Sequence, residues 1–260
     1  KFHMAKSLVL SSFKGLSAVV SGGSSGLGFA TVERLAKLGC KVGIFDLNEP
    51  KTLPEGSYFV KADVSSEEDV TKGLQHVSYH AKKLDILVNC AGIGIAVKVY
   101  NKKKDIPHPL SEFEKVLKVN TIGTFNMIRL CCGLFNKNQP NENQQRGVIV
   151  NTSSIAAFDG QCGQAAYSAS KGAIVGMTLP LARDLSLMGV RVVTIAPGLF
   201  LTPLLESLPE NVQRHLATTI PFPERLGHPD EFAHFVQSVI ENPMLNGEVI
   251  RLDGATRMMP

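Results

Sequence analysis

Tyr167 and Lys171 stand four residues apart in a stretch with helical periodicity, so phenol and ammonium share one helix face. A free phenol ionises at about pH 10. A neighbouring ammonium favours the phenolate and lowers that value, which an acid–base group for alcohol oxidation near neutrality needs. Upstream, Ser154 follows an apolar run at 148–152 and is placed to hydrogen-bond a substrate oxygen. The Tyr-x-x-x-Lys spacing is by itself common on solvated helix faces. Its meaning comes from what accompanies it.

The companion is a glycine-rich turn, Ser21-Gly22-Gly23-Ser24-Ser25-Gly26-Leu27-Gly28, between an apolar run and a helical pattern. Gly22 permits a tight turn, Gly26 lets the backbone approach a pyrophosphate, and Gly28 lets helix and strand pack closely. Ser25 and Leu27 lie inside the same turn, whose amides would face the phosphates at the positive end of the helix dipole. Asp46 ends the next apolar run, where a carboxylate accepts both adenosine ribose hydroxyls and repels a 2′-phosphate; no Arg stands beside it, which favours NAD over NADP. Asp63 and Val64 follow the third run, near where an adenine edge would sit. Asn89-Cys90-Ala91-Gly92 ends the fourth, and its small residues let backbone lie against a cofactor.

These residues need a scaffold that brings strand ends together. Apolar runs at 17–21, 41–46, 58–61, 85–89, 148–152, 190–195 and 248–252 are nearly continuous in Val, Ile and Leu, as strands covered on both faces require. Helical patterns at 26–38, 66–79, 111–135 and 164–187 separate them. Strict alternation implies an α/β fold: a single-domain Rossmann fold with a doubly wound, seven-stranded parallel sheet flanked by helices. One domain over 16–260 is expected, after a tail at 1–15. Pro50 and Pro54 leave 47–56 at most a stub of helix. Residues 94–109, with Lys102-Lys103-Lys104 and two prolines, read as an ordered loop or flap, and the amide-rich 136–146 segment as exposed.

The 260-residue chain carries a net charge of +4, too mild and too dispersed for a dedicated nucleic-acid surface. No apolar run is long enough to span a bilayer. The five cysteines form no C-x-x-C pair and the seven histidines are scattered, which reads as reduced thiols without a metal site. Before Glu33 there is no acidic residue, while Lys1, Lys6 and Lys14 sit among serines. That composition fits either a mitochondrial address, hence a matrix protein, or a plain tail of a cytoplasmic one; Lys1-Phe2-His3 ahead of Met4 reads as an expression remnant.

Across its whole length the chain resembles the short-chain dehydrogenase/reductase family, through the Gly22-x3-Gly26-x-Gly28 turn, Asn89-Cys90-Ala91-Gly92, Asn120, Ser154, Tyr167, Lys171 and Pro197-Gly198. The resemblance implies that Tyr167 transfers the proton, Lys171 also holds the nicotinamide ribose, and Ser154 orients the reacting oxygen. It further implies that Asn120 anchors a relay water behind Lys171, that Pro197, Phe200 and Thr202 meet the nicotinamide end, and that Gln164 borders the substrate. Ser21 replaces the usual Thr, with a hydroxyl able to make the same bond. The 47–56 connection is short, which affects the rim of the adenosine pocket.

The stretches 163–172 and 195–200, the Asn89-Cys90 variant, the lysine-bearing 100–109 insertion and the closing 246–253 stretch are similar to the branch acting on 3-hydroxyacyl-CoA thioesters. That likeness implies short-chain and branched acyl-CoA substrates, hydroxysteroids as side substrates, and a homotetramer. Two alternatives stay open: a 3-oxoacyl-carrier-protein or sugar reductase on the same scaffold, and a scaffold subunit of a mitochondrial tRNA-processing assembly. The Lys102–Lys104 run leans toward CoA phosphates but reads equally as a solvated loop. Residues 200–220 read as a mobile, Pro-bounded helical lid.

Overall fold

The computed structural model describes Leu10 and residues 12–260; the tail proposed as an address lies largely outside them. Its seven-stranded parallel sheet runs in the order β3-β2-β1-β4-β7-β8-β9. The strands are β1 Ser17–Ser21, β2 Lys41–Asp46, β3 Ser57–Lys61, β4 Ile86–Asn89, β7 Gly147–Thr152, β8 Val190–Pro197 and β9 Val249–Leu252. Every pairing in this sheet is parallel. Each expected strand is present, with ends displaced by at most a residue or two, and the order reverses between β1 and β4. At such a switch point the carboxyl ends of the strands leave a crevice for a ligand.

Helices cover both faces. Along β1 the side chains alternate: Ala18 and Val20 pack with Val32 and Leu35 of α1 (Gly26–Lys37) and with Phe232 and Val236 of the helix before β9. Val19 points the other way, onto a layer containing Val70 and Leu74 of α2 (Glu67–Ala81) and Met127 and Phe135. Fully apolar strands are therefore what this sheet requires, since both faces are core.

The helical pattern expected over 111–135 is interrupted. α3 spans Leu110–Leu117, a π-helical turn follows at Lys118–Ile122, and α4 resumes at Gly123–Phe135. The inserted turn keeps the chain continuous, so periodicity alone does not betray it; such bulges often mark functional sites. The flap contains a short antiparallel pair, β5 Tyr100–Asn101 with β6 Ile106–Pro107. Residues 47–56 hold no helix. After the long α5 (Ala165–Asp184), the lid resolves into α6 (Pro203–Glu206) and α7 (Glu210–Thr218), and α8 (Pro229–Glu241) precedes β9. Among the described residues no helix is long and apolar enough to cross a membrane.

Candidate active site and dinucleotide cradle

At the carboxyl edge of β1 the backbone turns so tightly that side chains are excluded. Gly22 has φ +65, and a Cβ there would sit 2.6 Å from the Ala91 nitrogen; a Cβ on Gly28 would sit 2.1 Å from the Gly22 carbonyl oxygen. The turn is stitched to its neighbours: Gly22 N–H donates to Phe45 O (2.8 Å), and Cys90 N–H to Ser21 O (2.9 Å). Ser21 Oγ donates to Asn89 Oδ1 (3.2 Å) and accepts from the Ala91 N–H (3.4 Å), so the Ser in place of Thr does join β1 to the β4 end. Asn89 Nδ2 in turn donates to Asn151 Oδ1 (2.9 Å), tying β4 to β7.

The residues present fit a dinucleotide. α1 begins with no side-chain cap and no acidic residue in its first turn, leaving its amides and positive dipole end to an anion. Ser24 Oγ is buried in the same turn with no hydrogen-bond partner. Half-buried Asp46 accepts from Ser24 N–H (3.1 Å) and Asn48 N–H (3.2 Å), holding its carboxylate at the β2 end beside the turn. A Cβ on Gly26 would lie 3.5 Å from the Thr202 methyl, so the start of the lid roofs the glycine turn.

Other expected cofactor contacts are more restricted. Asp63 Oδ1 accepts from both Ser65 N–H and Ser65 Oγ (2.8 Å each), and the Val64 carbonyl accepts from Asn126 Nδ2 (2.8 Å). Pro197 ends β8. Phe200 is a correction in detail: its side chain is buried against Phe232 at 6.4 Å between ring centroids, so only its main chain is left for a ligand. Gln164 caps α5 and its Oε1 accepts from Gln161 N–H (2.9 Å) at the rim of the site.

Tyr167 lies in the first turns of α5, and Ser154 caps the 3-10 turn Ile155–Ala157 that follows β7. Ser154 Oγ accepts from Ala156 N–H (3.1 Å). Lys171, 4 % exposed, donates from Nζ to the Thr152 carbonyl (2.9 Å), and its Nζ lies 5.8 Å from the centroid of the Tyr167 ring. Burial lowers its pKa to about 8, with the Cys90 thiol acting weakly the other way. The expectation that Lys171 depresses the phenol is not met in this geometry. Burial pushes Tyr167 above its ordinary value, the neighbouring Ser154 hydroxyl pulls it down, and the ammonium is engaged by Thr152.

Asn120 sits in the π-helical turn, and its side chain is fully committed. Oδ1 accepts from Ile93 N–H (2.8 Å), while Nδ2 donates to Ile93 O (2.9 Å) and Ser170 Oγ (2.9 Å). Ser170 Oγ donates to the Tyr167 carbonyl (2.7 Å), and Ser153 Oγ to the Lys171 carbonyl (2.9 Å). Thr152, Ser153 and Ser170 thus hold the backbone and cation of the Tyr167–Lys171 helix turn. They were missed in the sequence because small hydroxyls beside Ser154 and inside Tyr167-Ser168-Ala169-Ser170-Lys171 carry no spacing signal of their own.

Against known proteins, residues 17–213 match the family model for short chain dehydrogenase. The chain is 59% identical over 249 residues to "3-hydroxyacyl-CoA dehydrogenase type-2" of Drosophila melanogaster, covering 94% of this chain and 98% of the relative. A crystal structure of 3-hydroxyacyl-CoA dehydrogenase type-2 from Mycobacterium avium superposes with a TM-score of 0.89 at 39% identity, covering 96% of this chain and 99% of that one. The 3-ketoacyl-(acyl-carrier-protein) reductase from Brucella melitensis, complexed with NADH, does so with a TM-score of 0.82 at 31% identity, over 95% of this chain and 100% of that one. A nicotinamide dinucleotide suits this cradle, and the chain is an oxidoreductase that belongs to the short-chain dehydrogenase family.

Proposed function

We propose that this chain interconverts 3-hydroxyacyl-CoA and 3-oxoacyl-CoA with NAD, taking hydroxysteroids as side substrates. The observation that carries the cofactor preference is Asp46, a carboxylate held at the β2 end beside the glycine turn, where it receives ribose hydroxyls and repels a 2′-phosphate. For the substrate, the support is the likeness to relatives named for 3-hydroxyacyl-CoA. The exposed Lys98 adds to it, lining a cleft of about 570 Å³ between the flap and residues 160–168, and Lys102, Lys103 and Lys104 are exposed on the same flap. Ammonium groups there suit the phosphates of CoA.

In the oxidation direction Tyr167 Oη removes the hydroxyl proton of the alcohol while Ser154 Oγ donates a hydrogen bond to the same oxygen. Nicotinamide, when bound, supplies the hydride acceptor. Lys171 binds the adjacent ribose. A water held near Asn120 passes the proton outward by way of Lys171. In reduction the same groups act in reverse, with Tyr167 donating. By family likeness the assembly is a homotetramer, and the basic run before Glu33 is the ground for a mitochondrial setting.

The test is a coupled absorbance assay with NAD against 3-hydroxyacyl-CoAs of increasing length, hydroxysteroids, and a 3-oxoacyl-carrier-protein with NADH. The highest kcat/KM is expected for a short acyl-CoA. A clear preference for the carrier-protein substrate would replace this reading with the reductase one.

A further inference from the structure

The loop at residues 158–163 leaves the catalytic Ser154 and forms one side of the cleft; Val97 N–H donates to Gly163 O (2.9 Å), joining it to the flap. Its outer side is held by residues far along the chain. Arg251, at the end of β9, reaches Asp159 Oδ2 through Nη2 (2.6 Å) and Asp253 Oδ2 through Nε (2.7 Å). The same Nη2 donates to the Thr256 carbonyl (2.8 Å), and the guanidinium lies 5.4 Å from the centroid of the Phe158 ring. Gln161 Nε2 adds a bond to the Met259 carbonyl (2.7 Å).

The turn that Arg251 grips also touches the end of the lid. Phe222 N–H donates to Gly254 O (3.3 Å), and a Cβ on Gly254 would lie 2.6 Å from Ile220 Cγ2, at the end of the lid. Gly198, which leads into the lid, donates its N–H to Leu252 O (2.9 Å) and leaves no room for a Cβ over Asp253. One turn is therefore in contact with the loop after Ser154 and with both ends of the lid.

We propose that Arg251 is a positioning residue that fastens Asp159 to the 253–257 turn and thereby couples the 158–163 wall of the cleft to the end of the lid. The inference rests on reading that cleft as the acyl-CoA site. The side chains of Arg251, Asp159 and Asp253 are 21%, 18% and 7% exposed, so this pair of ion contacts is shielded from bulk solvent. The Arg251 guanidinium holds the Asp159 carboxyl below its ordinary range. Without Arg251, Asp253 keeps only the longer ion contact to Arg257 (3.4 Å) and Asp159 loses its ion pair, which frees the wall. A Lys at this position keeps the charge but lacks the planar fork that reaches both carboxylates and a carbonyl together.

The test compares wild type, Arg251→Met, Arg251→Lys and Asp159→Asn by steady-state kinetics on a short and a long 3-hydroxyacyl-CoA. Amide hydrogen exchange is followed at residues 158–163 and 220–222. Both Arg251→Met and Asp159→Asn are expected to raise KM on the order of tenfold with kcat little changed. The ratio of long-chain to short-chain kcat/KM should shift, and Arg251→Lys should recover part of the loss. Exchange should quicken at 220–222 as well as at 158–163, although Asp159 makes no contact with the lid end. Should Arg251→Met fail to fold, Asp159→Asn keeps the Arg251–Asp253 contact and carries the test. Unchanged KM, or faster exchange confined to 158–163, overturns the proposal. If the wild type oxidises no acyl-CoA, the substrate reading fails, and the exchange measurement still decides whether Arg251 couples the 158–163 loop to the lid end.

Discussion

At the scale of single residues, the proposed reaction rests on one hydroxyl. Tyr167→Phe keeps the ring and removes the proton carrier, so turnover should fall by about 10²–10⁴-fold in a protein with unchanged circular dichroism. Near-normal turnover would remove Tyr167 from the mechanism. Its pH behaviour follows from burial. Burial raises the phenol above its ordinary value, and oxidation requires the phenolate, so the oxidation rate at saturating NAD should climb with pH across the alkaline range. Reduction draws on the neutral phenol and should show no such climb; an oxidation profile flat across that range would contradict the assignment. Cofactor choice belongs to another carboxylate. Catalytic efficiency with NAD should exceed that with NADP by at least about tenfold, and Asp46→Ala should narrow the gap.

At the scale of elements, the π-helical turn matters because it delivers Asn120 to the backbone of Ile93 and to Ser170 together. Asn120→Ala strands the part-buried Ile93 N–H and carbonyl, at a cost of about 1 kcal/mol for each unsatisfied group. Urea unfolding should show a lower midpoint, together with a loss of turnover; an unchanged midpoint would argue against the clamp. This is also where the sequence stopped being readable. The strands, the glycine turn, Asp46 and the Tyr167–Lys171 pair are written in local spacing and apolar periodicity, so they were found. The π turn keeps helical periodicity on both sides and leaves no trace. Lys171 shows a related limit. Its spacing placed it on the face of Tyr167, while its actual engagement with the Thr152 carbonyl depends on where β7 ends relative to α5. Phe200 turns its side chain inward, where Gly227 leaves room for the ring and Phe232 packs edge-on to it.

At the scale of the molecule, β9 is an edge strand whose residues are only half-buried, and Ile122 and Phe125 beside α4 and Leu179 on α5 are exposed apolar side chains. Uncovered edges and apolar faces favour association. Light scattering at micromolar concentration is expected to give a tetramer, and a stable monomer would count against the homotetramer reading. The central position of β4 has a temporal consequence. Ser21 and Asn89, whose side chains meet at the switch point, are 68 residues apart, and the two halves of the sheet join only when β4 finds β1. Contacts this distant along the chain form late, because loop closure precedes any gain from pairing. After dilution from denaturant, helical ellipticity should therefore return well before dehydrogenase activity. The enzyme's own turnover then becomes a clock for the last stage of its folding.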